Sequence, residues 1–197
     1  MSTKARPSDR TSPRDRLLAA ANELFYSEGV NSVGIDRVIE RAGVAKASLY
    51  SNFENKDDLV RAYLGQRQEA RRARVETKLA TIRAPRDKLL AVFDVLGELF
   101  TRPEFRGCAF LRASAELGSN SGARHVCDDY RSWIRNLFAD LATEAGADDP
   151  AKVSEQLVLL YDGATVSAQM DKNPRVAAHA KSLAERILDA ACVRRDA

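Results

Sequence analysis

The chain has few residues suited to metal or thiol chemistry: three cysteines and two histidines in 197 residues. Cys108, Cys127 and Cys192 are odd in number and form no close pair, so free thiols are expected rather than a disulfide framework or a zinc or thioredoxin motif. No apolar run approaches the roughly 18 residues of a membrane helix, and no membrane partner is expected. The start, Met1-Ser2-Thr3-Lys4-Ala5-Arg6-Pro7, lacks the apolar core of a secretory signal, which makes the cytoplasm the expected compartment. No segment alternates with period two for long enough to be a strand, and there is no repeat of fixed period. No glycine-rich phosphate loop and no distinct carboxylate pair is present, so the expectation is a non-enzyme without cofactor or bound metal.

What is present is amphipathic helix. Ser12-Pro13-Arg14-Asp15 combines a hydroxyl N-cap, proline at the first helical position and an acid placed to close a capping box. Leu17, Leu18, Ala21, Leu24 and Phe25 then form one apolar stripe, which Gly29 ends. Ile35, Val38, Ile39 and Ala42 mark a helix of two turns broken by Gly43, and a second short helix is expected from about Ala45 to Asn52, with Val44 and Leu49 as its buried contacts. Asn55-Lys56-Asp57-Asp58 caps a longer helix anchored by Leu59, Val60 and Tyr63 and running towards Arg83. Five more helical segments follow, among them a stripe of Leu89, Val92, Phe93, Leu96, Leu99 and Phe100 behind Pro85, one from about Arg106 to Leu117, and one carrying Val126, Tyr130, Trp133, Ile134, Leu137, Phe138 and Leu141. Asp149-Pro150 and Asn173-Pro174 open the last two. The fold class is therefore all-α. The expected organisation is a flexible basic arm over 1–11, a domain over 12–56 that holds the two short helices, a connecting helix over 57–83 and a C-terminal domain over 84–197.

Net charge is +3, unevenly spread: Met1 to Arg83 hold 16 Lys+Arg against 11 Asp+Glu, and Ala84 to Ala197 hold 15 against 17. The basic part contains the two short helices. A two-turn helix, a glycine turn and a second short helix form the geometry of a helix-turn-helix reader of double-stranded DNA. Val38, Ala42, Val44 and Leu49 would hold the pair together and leave Lys46, Ala47, Ser48, Ser51 and Asn52 to project. Lysine reaches phosphate or guanine, serine and asparagine bond base edges or backbone, and an alanine methyl meets a thymine methyl.

The run Ala42-Gly43-Val44-Ala45-Lys46-Ala47-Ser48-Leu49-Tyr50-Ser51-Asn52-Phe53-Glu54-Asn55-Lys56-Asp57-Asp58-Leu59 resembles the helix-turn-helix signature of the tetracycline-repressor (TetR) family, a likeness extending from Arg14 to about Leu64. The resemblance implies phosphate contacts from Tyr50, Lys56 and the helix start near Gly34, and base reading by the second short helix. It also implies repression of a palindromic operator that a small-molecule effector relieves. Three positions depart from the pattern: Ala45 stands where Ser or Thr commonly caps, Ser48 replaces a usual Thr, and Asn52 stands where His or Tyr is frequent.

In proteins of this kind the C-terminal helices form a ligand chamber, and the last two helices pair with a second subunit. The expected homodimer interface here includes Leu157, Tyr161, Val176, Leu183 and Ile187. Candidate pocket residues are Cys108, Phe110, Glu116, Tyr130, Trp133 and Asp162, which join aromatic bulk to a few polar groups. An alternative reading is a helical enzyme or a thiol-based redox or electrophile sensor that uses Cys108; a third is a dimeric scaffold without DNA function. His125, Asp128 and Asp129 share a helical face, where solvated charge is expected rather than a metal.

Overall fold

Ser12 begins the first helix as its chemistry requires: its Oγ accepts from Asp15 N at 3.1 Å and donates to the Asp15 carboxylate at 2.7 Å, with Pro13 at the first position. The computed structural model describes residues 12–192; the expected arm over residues 1–11 lies outside them. The described residues are all-helical: α1 (Pro13–Glu28), α2 (Ile35–Ala42), α3 (Lys46–Tyr50), α4 (Lys56–Ala80), α5 (Pro85–Phe100), α6 (Ala109–Glu116), α7 (Gly122–Glu144), α8 (Pro150–Met170) and α9 (Val176–Ala191). None of these helices is long and apolar enough to cross a membrane. They form two compact units. Among the described residues, the first comprises 12–65 together with Arg112–Val126, and the second comprises Gln66–Leu111 together with 127–192.

In the first unit, the α1 stripe of Leu17, Leu18, Ala21, Leu24 and Phe25 is buried, with Val33, Val38, Leu49, Phe53, Leu59 and Leu64 completing the core. Phe25 meets Tyr63 edge to face at 5.7 Å. Bidentate Arg37–Glu28 and Arg41–Glu23 pairs tie α2 to α1, and Arg16 donates to the Gly43 carbonyl at the turn. Gly43 has φ +61, the left-handed conformation that lets α2 stop and the chain reverse within two residues. The segment Arg112–Val126 joins this unit through polar contacts: Asn31 N donates to Glu116 Oε2 at 2.8 Å, Asn31 Nδ2 to the Glu116 carbonyl at 2.8 Å, and Arg112 to the Tyr26 carbonyl at 3.2 Å. Asp57 accepts from the Ser121 hydroxyl and from Ala123 N.

The second unit is built around α5, buried nearly all round by Leu89, Leu90, Val92, Phe93, Val95, Leu96 and Phe100. Helices α8 and α9 pack on it and on each other. Phe93 stacks on Phe138 at 5.9 Å, and Phe138 meets Tyr161 edge to face at 6.1 Å. The buried face of α9 is Ala177, Ala180, Ala184 and Leu188, small enough for close approach. Asp149 caps α8 by accepting from Lys152 N at 3.0 Å. Lys181 donates to both oxygens of Asp94 at 2.9 Å, joining α9 to α5.

Three boundaries differ from the sequence reading. α6 begins at Ala109 rather than near Arg106, because Gly107 takes φ +89 and breaks the helix before it can start. α9 begins at Val176, since the Asn173 side chain bonds Arg175 N in a turn instead of capping a helix. α3 is only five residues long: Ala45 offers no side-chain cap, and the Ser51 hydroxyl and Asn52 amide both close on the Ser48 carbonyl at its end.

A serine at the bare cap should therefore help α3. Ala45→Ser is expected to raise unfolding free energy by about 1 kcal/mol in urea titration. Leu49→Ala, which removes the buried residue of the same helix, is expected to lower it by about 2–5 kcal/mol. An Ala45→Ser variant less stable than the parent would show that the cap is not what limits α3.

Candidate functional site

α3 has one face in the core and one in solvent. Leu49 is fully buried, whereas Lys46, Ala47, Tyr50 and Ser51 are exposed, Tyr50 to 54%. Ser48 and Asn52 are half-buried. An exposed aromatic this large has nothing to gain from water, but its hydroxyl suits a phosphate and its ring can lie along a sugar-phosphate backbone.

Lys46 Nζ lies 3.1 Å from Asp36 Oδ1, with both side chains largely exposed. The hydrogen bond from Lys46 to Asp36 raises the lysine pKa above its ordinary value, so the ammonium stays charged. Such an exposed pair contributes little to stability and exchanges readily for a stronger anion. A phosphate or guanine edge could take over the lysine at low cost.

Asn52 is half-buried at the end of α3. Its Nδ2 donates to the Ser48 carbonyl at 2.7 Å and to Ser51 Oγ at 3.3 Å, while Ser51 Oγ itself donates to the Ser48 carbonyl at 3.0 Å. Both amide hydrogens of Asn52 are thus engaged within the helix end. Its carbonyl oxygen is the atom left for a partner, which suits a donor such as the cytosine or adenine amino group.

Two further anion-seeking features flank α3. Gly34 caps α2 in an extended conformation (φ −77, ψ 156) with no side chain bonded to the first turn and open space where a Cβ would sit. Free N–H groups at such a helix start favour an anion. Lys56 opens α4 and is half-buried, and Asn55 Oδ1 caps that helix by accepting from Asp58 N at 2.9 Å. The first unit thus carries Gly34, Lys46, Ala47, Ser48, Tyr50, Ser51, Asn52 and Lys56 on or beside its two short helices.

The expected pocket residues divide. Glu116 belongs to the first unit, where it accepts from Asn31, and is not gathered with the others. In the second unit Phe110 stacks on Tyr130 at 3.9 Å, and Tyr130 lies 5.7 Å from Trp133. The Tyr130 and Tyr161 hydroxyls share a hydrogen bond of 2.8 Å, and Arg71 donates to Tyr161 at 2.9 Å. Arg71 was absent from the expected set, since its place on a strongly basic helix reads as solvent-facing charge. Asp162 pairs with Arg131 at 2.5 Å. Cys108 accepts from Leu111 N at 3.4 Å, a capping contact at the start of α6, and burial pushes its thiol pKa up. A protonated thiol is a poor nucleophile, so the geometry gives the Cys108 alternative no support. Among the described residues, no three His, Cys, Asp or Glu side chains gather as a metal site would require.

The expected interface residues divide as well. Leu157 and Tyr161 are corrected to core positions, because both are buried within the second unit and present no surface to a partner. Leu183 is 47% exposed, while Val176 and Ile187 are half-buried. Leu159, 70% exposed, and Met170 add outward apolar surface beyond the expected interface residues. A groove of about 540 Å³ between α8 and α9 is lined by Val153, Gln156, Leu160, Leu183, Arg186 and Ile187.

Residues 17–63 match the family model described as bacterial regulatory proteins, tetR family. The crystal structure of a TetR-family transcriptional regulator from Streptomyces coelicolor is 33% identical and superposes with a TM-score of 0.86 over 91% of this chain and 96% of that one. A TetR-type regulator from Streptomyces avermitilis is 34% identical, with a TM-score of 0.83 over 92% of this chain and 98% of that one. The HTH-type transcriptional regulator YjdC of Escherichia coli is 26% identical over 180 residues, covering 89% of this chain and 93% of the relative. The α2–α3 geometry, the family match and the likeness along nearly the whole chain agree: this protein belongs to the TetR family of DNA-binding transcriptional regulators.

Proposed function

We propose that the protein is a homodimeric repressor that binds an inverted-repeat operator and leaves it when a small molecule enters the core of the second unit. The observation that carries the reading is the α3 face, where Lys46, Ala47, Tyr50 and Ser51 are exposed on a helix fixed from behind by Leu49. In this reading residues 12–56 read DNA, 57–83 connect, and the chain from 84 onward serves effector binding and dimerisation. Tyr50, Lys56 and the α2 start at Gly34 hold phosphates, while Lys46, Ala47, Ser48 and the Asn52 carbonyl face base edges.

Dimerisation is supported by the apolar residues that α8 and α9 turn outward. Leu159 is largely exposed, and Leu160, Leu183 and Ile187 line a groove that a second copy would fill. Effector binding is supported by the aromatic and polar cluster around Tyr130 and Tyr161, set in an otherwise apolar core. A ligand there acts by preferring one arrangement of the dimer, and operator affinity then falls by the ratio of its affinities for the two arrangements, about 5–150-fold.

Selection of binding sites from random duplexes should return an inverted repeat. Insertion of about 5 base pairs between its halves turns one half to the opposite face and should abolish tight binding. Lys56→Ala should weaken all sequences alike and reduce the salt dependence by about one unit. Alanine at Lys46, Tyr50 and Lys56 together should remove operator binding, and a folded triple variant that binds unchanged would refute the DNA-contact assignment. Light scattering should give a mass near twice 21.7 kDa, and Leu183→Glu should return single chains, because a carboxylate in that face has no water to solvate it.

A further inference from the structure

Arg71 is a cation without a counter-charge. Half-buried on α4, it donates from Nη1 to the Tyr161 hydroxyl, and among the described residues no carboxylate forms an ion pair with it. A guanidinium offers five N–H donors, whereas a single phenol answers one of them. The acceptors nearby are neutral. Burial holds the Tyr130 hydroxyl far above the ordinary phenol pKa, with Tyr161 adding to the effect, and burial likewise raises the Cys108 thiol. Burial works against the Arg71 charge, yet a guanidinium stays protonated at neutral pH all the same, and the direction of its pKa here is up. The cluster therefore keeps a net positive charge at neutral pH.

The surroundings deepen that excess. Arg74, one turn further along α4, has its pKa lowered by burial and then by Arg102, Arg71 and Arg67, the mark of a cationic field. Arg72 has a buried Nε with no hydrogen-bond partner, while its guanidinium carbon lies 5.3 Å from the centre of the Trp133 ring. Asp162 on α8, whose charge acts on Cys108, is engaged with Arg131. Beside these cations stand flat rings: Phe110 and Tyr130 are nearly parallel at an interplanar angle of 12°, and Trp133 is tilted against Tyr130. A half-buried cation with no carboxylate paired to it keeps donors to spare, and an arginine in that position is suited to grip a carboxylate with two parallel hydrogen bonds.

We propose that this cluster recognises a flat organic anion, a carboxylate on an aromatic body, with Arg71 taking the charged group and the Phe110, Tyr130 and Trp133 rings packing against the body. The proposal rests on the effector reading above and narrows it to a class of compound. Arg72 assists through its unsatisfied Nε and fixes Trp133 by cation–π contact. The phenol pair positions Arg71 without neutralising it, which leaves the remaining donors for the ligand.

The test is calorimetric titration of the full chain with naphthoate and with naphthamide, which keeps the ring system and removes the charge. Naphthoate should bind about tenfold more tightly or better. Arg71→Met should abolish that preference, and it should raise the thermal unfolding midpoint of the ligand-free protein because a cation lacking its partner has gone. If Arg71→Met does not fold, Arg71→Gln makes the same comparison while retaining a donor for Tyr161. Equal affinity for the two compounds, no binding of naphthoate at millimolar concentration, or an Arg71 variant that still prefers the anion would each overturn the proposal. The effector reading fails separately: naphthoate then binds through Arg71 but leaves operator affinity unchanged.

Discussion

A five-residue helix cannot hold itself in water, since the cost of the first turn is met only when several more hydrogen bonds follow. α3 has no side-chain cap to offset this and ends after Tyr50. Its conformation is therefore imposed through Leu49, which is buried with the α1 stripe and Val38. The exposed residues of α3 inherit their direction from that one contact. α2 is secured more fully, by Val38 and Ala42 buried against α1 and by the Arg16 contact at Gly43, with the exposed arginine pairs to Glu28 and Glu23 adding little. α3 is thus locally weak and externally braced. Its outward face is free to vary in chemistry without altering how it is held.

This division explains what could be read from the sequence. The first unit's core was legible because its stripe repeats at helical spacing and its boundaries carry strong signals, Ser12-Pro13 at one end and Gly29 and Gly43 at the turns. The place of α3 was legible because the motif occupies consecutive positions. The attachment of Glu116 to Asn31 was not, because it spans 85 residues and depends on a carboxylate meeting a backbone N–H. Nothing in the local pattern around either residue announces such a contact. Leu157 and Tyr161 were misplaced for a related reason: an apolar stripe identifies a face that must be covered, but not whether the same chain or another one covers it. Arg71 was overlooked because one buried arginine in a basic helix has the same local sequence as an exposed one.

The two units handle charge in opposite ways. Around α2 and α3 the cations are paired with exposed carboxylates, at Arg37–Glu28, Arg41–Glu23 and Lys46–Asp36, where solvent screening keeps each pair weak. In the second unit Arg71 answers to phenols and Arg72 to an indole ring, where screening is poorer and an approaching charge is felt more strongly. Surface pairs of the first kind suit a polyanion met from solution, because each is easily exchanged. A cation set among aromatic rings suits selection, because few molecules satisfy both its charge and its walls.

Trp133 is the chain's single tryptophan and stands in the second unit, with a guanidinium 5.3 Å from its ring centre. The first unit has Tyr26, Tyr50 and Tyr63 but no indole. Light at the red edge of the aromatic absorption band therefore excites the second unit alone. Its emission colour reports the polarity and charge beside one ring, while the first unit remains dark. During heating, the fluorescence trace and the loss of total helix signal then record different parts of the molecule. Their coincidence or separation measures directly how cooperative the two units are.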